Sequence, residues 1–270
     1  MSRIDVKKTY KLFINGAFPR SESGRVYEVT NAKGAFIANP ALASRKDLRD
    51  SVVAARGAFG KWSGSTAYLR GQIIYRIAEM LEGRREQFEA ELKATGDKTK
   101  ITEAIDLIVW YAGWTDKLAA LDGVTNPVSG PFYNFTTPEA MGVVGVVSEP
   151  TFLEFIDSMM SVIASGNTTV IVAPGALAIP AMSFAEVLAT SDVPAGVINI
   201  LTGKVDELAP WMASHMDIDG IDITGAKKQG ELKVAAAENL KRVHSFNKLK
   251  NPARILAFME AKTVWHTVGI

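Results

Sequence analysis

Cysteine is absent from all 270 residues, so the chain offers no disulfide, no thiolate nucleophile and no sulfur ligand for a metal. A run of roughly 18 apolar residues, the minimum for a membrane-spanning helix, occurs nowhere. The first residues are charged and lack the apolar stretch of a signal peptide, which makes the cytoplasm the expected compartment. Charge of either sign is not in excess: 30 basic residues stand against 29 acidic ones, a formal net charge of +1. That balance gives no general attraction to nucleic acid or to an anionic membrane. The basic residues Lys241, Arg242, Lys248, Lys250 and Arg254, with His244 beside them, read as a solvated face near the end of the chain, with an anion- or partner-docking patch as the alternative.

Histidine is scarce too, with three in the chain. His215 lies near Asp217, Asp219 and Asp222, but the spacing lacks the central glycine and distal glutamate of a calcium loop, so no metal is expected. Ser161 and Ser165 have no histidine near them in sequence, and no Gly-x-Ser-x-Gly elbow occurs.

What is present is apolar periodicity. Hydrophobic residues make up 47% and charged residues 22%, proportions that support a buried core. Disorder is expected only at the start, around Ser2, Arg3, Lys7 and Lys8. Lys11–Asn15 and Arg25–Val29 read as the strands of a hairpin, and Ala35–Ala38 as a further strand. Ser44 with Asp47 forms a capping-box pattern ahead of Leu48, Val52, Ala55 and Phe59 at helical spacing. A second helical pattern runs from Leu69 to about Gly96, and a third from Ile101 to about Leu121. The aromatics Trp110, Tyr111 and Trp114 on the third read as packing residues.

After the turn-rich stretch around Asn126–Pro131 and an extended Phe132–Phe135, the pattern becomes short apolar strands alternating with helices. Strands are expected at Gly142–Val147, Thr168–Val172, Val197–Ile200, Ile218–Ile223 and Arg242–Ser245. Helices are expected at Phe152–Ile163, Met182–Ala189, Val205–Ala213, Gln229–Asn239 and Ala253–Glu260. In the first of these Glu154, Asp157, Ser158 and Ser161 fall off the apolar stripe, which predicts an amphipathic helix. Continuous apolar strands between helices predict an α/β fold with a doubly wound parallel sheet.

Six segments, taken in order, resemble the aldehyde dehydrogenase superfamily. They are Lys11–Gly16, Gly142–Val147, Ser165–Ile171, Val193–Gly203, Ile223–Ala226 with Gly230, and Lys262–Trp265. The resemblance is closer still to the catalytically degenerate second unit of two-unit aldehyde dehydrogenases. It implies a discontinuous Rossmann-like N-terminal domain over residues 1–122 and 142–252, and a protruding β oligomerisation unit over 123–141 and 253–270. The catalytic domain that the family inserts before its terminal strand is absent.

The functional positions of the family are changed in this chain. By the resemblance, Thr151 stands at the oxyanion-stabilising asparagine and Phe246 at the general-base glutamate, while the nucleophile is missing. Val172 and Gly175 replace the lysine–glutamate pair that holds the adenosine ribose. Gly225, Ala226 and Gly230 remain as weak candidates for cofactor binding, with Lys227 and Lys228 nearby and a helix expected to begin near Ala226. The resemblance therefore implies a pseudoenzyme without a required cofactor, retaining at most weak NAD or NADP binding. Its expected partners are itself and a full-length aldehyde dehydrogenase, met through Phe132, Tyr133, Phe135, Val264, Trp265 and His266. Two other readings stand beside it. One is a nucleotide- or phosphate-binding module; the other is an enzyme of unrelated chemistry, requiring Glu149, Thr151, Asp222 or the lysines to converge in one cleft.

Overall fold

The computed structural model of the protein describes Ile4 and residues 6–269. In chain order the elements are β1 (Val29–Thr30), β2 (Phe36–Ala38), α1 (Arg45–Ser63), α2 (Ala67–Glu82), α3 (Arg85–Thr95), α4 (Ile101–Trp114) and α5 (Leu118–Asp122). There follow β3 (Val124–Asn126), β4 (Phe132–Ala140), β5 (Val143–Val147), α6 (Phe152–Ala164), β6 (Thr168–Pro174), α7 (Ala178–Ala189), β7 (Ile198–Gly203) and α8 (Val205–Ser214). The chain closes with β8 (Gly220–Asp222), α9 (Gln229–Ala237), β9 (Arg242–His244), α10 (Pro252–Leu256) and β10 (Met259–Thr267).

The main sheet has the order β7-β6-β5-β8-β9, and its strands pair in parallel. Chain order therefore reverses beside β5, as in a doubly wound sheet. Side-chain alternation divides each central strand between two cores. Val144, Val146, Ile171 and Ile200 face the layer of α2, α4, α6 and α7. Val143, Val147, Val170, Val172 and Leu201 face that of α1, α8 and α9. A second sheet, ordered β10-β4-β3, is antiparallel.

Helix boundaries follow local chemistry. Ser44 accepts from the backbone of Lys46 and Asp47 while Asp47 caps the Ser44 N–H, completing the predicted capping box; Thr66 caps α2. The long second pattern breaks into α2 and α3 at Gly83 and Arg84, and the third divides into α4 and α5. On α4, Trp110 meets Tyr111 and Trp114 at ring distances of 4.9 and 5.6 Å.

Several expectations are corrected. Lys11–Asn15 forms no hairpin with Arg25–Val29: Phe13 bridges Ile200 on the edge of the main sheet, and Val26 bridges Ala41. The Lys11–Asn15 segment lies instead along the open edge of β7. Lys8 is held by Glu186 and Ser183 rather than disordered; Ser2 and Arg3 lie outside the described residues. The last helix spans Pro252–Leu256, and β10 already begins at Met259.

Helix α6 has the polar side that the sequence predicts, but that side is not solvated: Asp157, Ser158 and Ser161 are as buried as its apolar residues. It lies between the sheet and surrounding helices, so its polar groups bond inward. Ser158 and Ser161 donate to carbonyls of their own helix. Asp157 finds partners across the core.

Candidate functional site

Ligands of doubly wound sheets bind beyond the carboxyl ends of the strands. There a cavity of about 500 Å³ is lined by Tyr27, Pro174, Gly175, Lys204, Gly225 and Lys227, among others. Two amides of the strand-to-helix turn beneath it are already bonded within the protein. The Gly225 N–H bonds Val147 O at 2.9 Å, and the Ala226 N–H bonds Ile223 O at 2.9 Å. The expected helix start near Ala226 moves to Gln229, so its first free amides lie further along.

Gly225 answers to packing. A Cβ there would sit 2.1 Å from Ser148 O, whereas a Cβ on Gly230 would meet nothing within 4 Å. Val172 is fully buried in β6. Gly175 takes φ +55°, a left-handed conformation suited to glycine. Its carbonyl accepts the Tyr27 hydroxyl at 3.0 Å, which places a tyrosine against the position expected to hold a ribose.

Thr151 is the N-cap of α6. Its hydroxyl donates to Glu154 Oε2 at 2.6 Å, and its oxygen accepts the Glu154 N–H at 3.4 Å. That hydroxyl is committed to capping. Burial and the charge of neighbouring Glu154 raise the Glu149 carboxyl above its ordinary value, partly offset by Arg254.

Phe246 covers a buried ionic cluster that the sequence reading did not anticipate. The Arg254 guanidinium lies 4.7 Å from the Phe246 ring centroid. It donates to Asp157 Oδ2 at 2.5 Å and to Asp222 Oδ2 at 2.6 Å. Arg254 is thus a buried counterion, a correction to the expected solvated basic face. Lys241 is buried too, with its ammonium 2.7 Å from His215 O. The Tyr111 hydroxyl and the Lys250 N–H both donate to Asp157 Oδ1. Asp222 Oδ1 accepts from Thr224, whose hydroxyl oxygen accepts the Phe246 N–H. Burial pulls the guanidinium down, but Asp222 and Asp157 more than offset it, so Arg254 stays charged. One sequence signal pointed here: a lone aspartate inside the apolar α6 needs a buried partner.

Of the groups that an unrelated chemistry would need together, Thr151 and Glu149 both meet Glu154, and Glu149 lies within reach of the charges of Arg254 and Asp222. Asp222 is consumed by Arg254, and Asp219 pairs with Arg56 at 2.7 Å. His215 accepts the Asp217 N–H through Nδ1. Among the described residues, no group of three or more histidine and acidic side chains is arranged to hold a metal, and no helix is long and apolar enough to cross a membrane. A groove of about 910 Å³ between α2 and α4, lined by Tyr68, Tyr75 and Arg76 among others, lies apart from the strand ends.

The β unit carries the interface candidates. Phe132, Tyr133 and Trp265 are exposed at 40%, 51% and 59%, while Phe135 and Val264 are half-buried and His266 is exposed. Phe132 and Trp265 meet edge-on at 5.8 Å, and Tyr133 lies 5.6 Å from Phe135. The sheet places the two groups on opposite faces, because Phe132 and Trp265 stand at one parity of the register and Tyr133, Phe135, Val264 and His266 at the other.

Fold and site together define a doubly wound domain of nucleotide-binding type, carrying a small antiparallel β unit and no catalytic thiol. The profile of the aldehyde dehydrogenase family matches residues 18–268, and the chain belongs to that family. Human retinal dehydrogenase 2 is 33% identical over 255 residues, covering 89% of this chain and 48% of that protein. Human mitochondrial 10-formyltetrahydrofolate dehydrogenase is 31% identical over 262 residues, covering 90% of this chain and 28% of that protein. The NAD+ complex of aldehyde dehydrogenase from Bacillus cereus superposes with a TM-score of 0.79 at 28% identity, over 87% of this chain and 50% of that one. The chain thus spans about half or less of the length of these relatives. These 270 residues hold no cysteine, so the chain itself offers no thiol for the family's chemistry.

Proposed function

We propose that this chain is a structural or regulatory subunit, an inactive aldehyde dehydrogenase-like protein that assembles with itself and with a full-length aldehyde dehydrogenase. In this reading it corresponds to the degenerate second unit of two-unit aldehyde dehydrogenases. The carrying observation is the β10-β4-β3 sheet, which ends in a nine-residue strand, β10, with one partner strand. An open edge flanked by exposed aromatics is an association surface rather than a stable free one. The occupants of the family's catalytic positions agree: Thr151 caps a helix, and Phe246 covers Arg254.

Sedimentation velocity tests this on the wild type and Trp265→Ala, alone and mixed with a full-length aldehyde dehydrogenase from the same cell. Truncating a buried interface tryptophan typically costs about 2 kcal/mol or more, so the variant should dissociate at concentrations where the wild type is associated. A wild-type monomer at micromolar concentration that also ignores the full-length enzyme refutes the proposal.

A nucleotide-binding module is the second reading, favoured by the cavity that holds Lys204 and Lys227 at the strand ends. Against it stand the spent amides of Gly225 and Ala226 and the Tyr27 contact with Gly175.

A further inference from the structure

Two side chains ahead of β1 reach both lips of the cavity at the strand ends. Side chains two apart on an extended segment point the same way, so Arg25 and Tyr27 share one side and the exposed Val26 takes the other. The Tyr27 hydroxyl donates to Gly175 O, on the turn that follows β6. Arg25 pairs with Glu207 Oε2 at 3.4 Å, on the first turn of α8, which follows β7. Lys204, which lines the cavity, pairs with the other oxygen of Glu207 at 3.5 Å.

The backbone that carries this pair is fixed. Val26 bridges Ala41, the Tyr27 N–H donates to Pro40 O, and the Leu42 N–H donates to Arg25 O. Residues 41–43 are in turn tied to β7, where the Thr202 hydroxyl donates to Ala41 O and the Ala43 N–H to Thr202 O. The side chains are held less firmly. Tyr27 packs against a small cluster built on Val29, Ala38 and Ile179, separate from the two main cores. One neutral hydrogen bond and one exposed ion pair close the span, and each weighs about tenfold or less in an equilibrium. Ser148 lines the same cavity and is 1% exposed.

We propose that Arg25 and Tyr27 form a side-chain gate across this cavity, closed onto Glu207 and Gly175, which swings aside before a solute reaches the inner wall at Ser148. Rotation about the side-chain bonds breaks the two contacts and leaves the backbone pairing intact, so the gate opens without unfolding. It goes beyond both readings of function, since it depends neither on the β unit nor on a bound nucleotide.

The cysteine-free chain allows a direct test by thiol labelling with N-ethylmaleimide. Ser148→Cys reports on the cavity, and Ser161→Cys, at a buried position of α6, reports on opening of the core. Each is combined with Tyr27→Phe, Tyr27→Ala and Glu207→Gln. Tyr27→Phe should speed labelling of Ser148→Cys about two- to tenfold, the weight of one hydrogen bond, and Tyr27→Ala more, because the ring itself is gone. Glu207→Gln should speed it less than about fivefold, the range of an exposed ion pair, and high salt should erase that difference. Labelling of Ser161→Cys should not change. A Ser148→Cys rate that Tyr27→Ala leaves unaltered overturns the gate. So does a rise shared equally by Ser161→Cys, which would make the contacts part of global stability. Ser148→Cys that labels as fast as an exposed thiol with Arg25 and Tyr27 in place overturns it too. Should Ser148→Cys not fold, Val205→Cys, a half-buried position lining the same cavity, gives the same readout.

Discussion

Arg254→Ala is the sharpest test of how α10 closes against the core of this fold. Its side chain is 4% exposed, and those of Asp157 and Asp222 are 0% and 1% exposed. The substitution leaves two carboxylates in the core without a counterion, in addition to the lost stem and its contact with Phe246. Breaking a buried ion pair by removing one partner costs about 3–5 kcal/mol. For a chain of this size each kcal/mol shifts the melting temperature by about 2–4 °C, so the variant should melt roughly 6–20 °C lower. The triple substitution Arg254→Met, Asp157→Asn, Asp222→Asn removes the charges, keeps side-chain oxygens for Tyr111, Thr224 and Lys250, and fills the stem's volume. It should recover part of the loss: the unpaired charges are gone, but each new asparagine leaves a buried amide donor without an acceptor. Thermal and urea denaturation of the three proteins provide the measurement. A loss under about 1 kcal/mol for Arg254→Ala would refute the cluster as the closure of the core. A triple variant no better than the single one would show that unpaired charge is not the dominant cost.

Two glycines at the turn beside the cavity should respond oppositely. Gly225→Ala forces a Cβ to within 2.1 Å of Ser148 O and should cost about 1–3 kcal/mol, whereas Gly230→Ala, in open space on α9, should be neutral or stabilise by up to about 1 kcal/mol; urea midpoints decide. Burial lowers the Lys241 ammonium from 10.5 to about 8. Between those values the unfolded chain binds the extra proton, so stability should rise with pH from about 8 toward 10.5. Lys241→Met should lack that increment in urea titrations against pH, and an identical slope in both proteins would contradict the assignment. Calorimetric titration with NAD should give a dissociation constant above about 1 mM, under about 4 kcal/mol of binding free energy; a micromolar constant would restore the nucleotide-binding reading.

Much of the fold was legible from local chemistry. The capping box at Ser44 and the β-branched runs of β5 and β6 are decided within a few residues, and they appear where the pattern put them. The missing thiol is equally a property of composition. Partner choice is different, because it depends on which groups remain unpaired elsewhere. Lys11–Asn15 reads as an extended segment from its own residues, but only the packed sheet shows that the edge of β7 claims it. Asp157 reads as the polar side of a helix until neighbours enclose that side and Arg254 arrives from α10. The same holds for Arg254, which looks like one cation of a solvated run and serves as the counterion of two carboxylates. Helical and strand propensity act through adjacent residues, whereas desolvation and charge pairing act through space. The sequence alone determined most of the helices and central strands and the absence of a thiol; the tertiary structure decided which charges are buried together and which strand edge is left open.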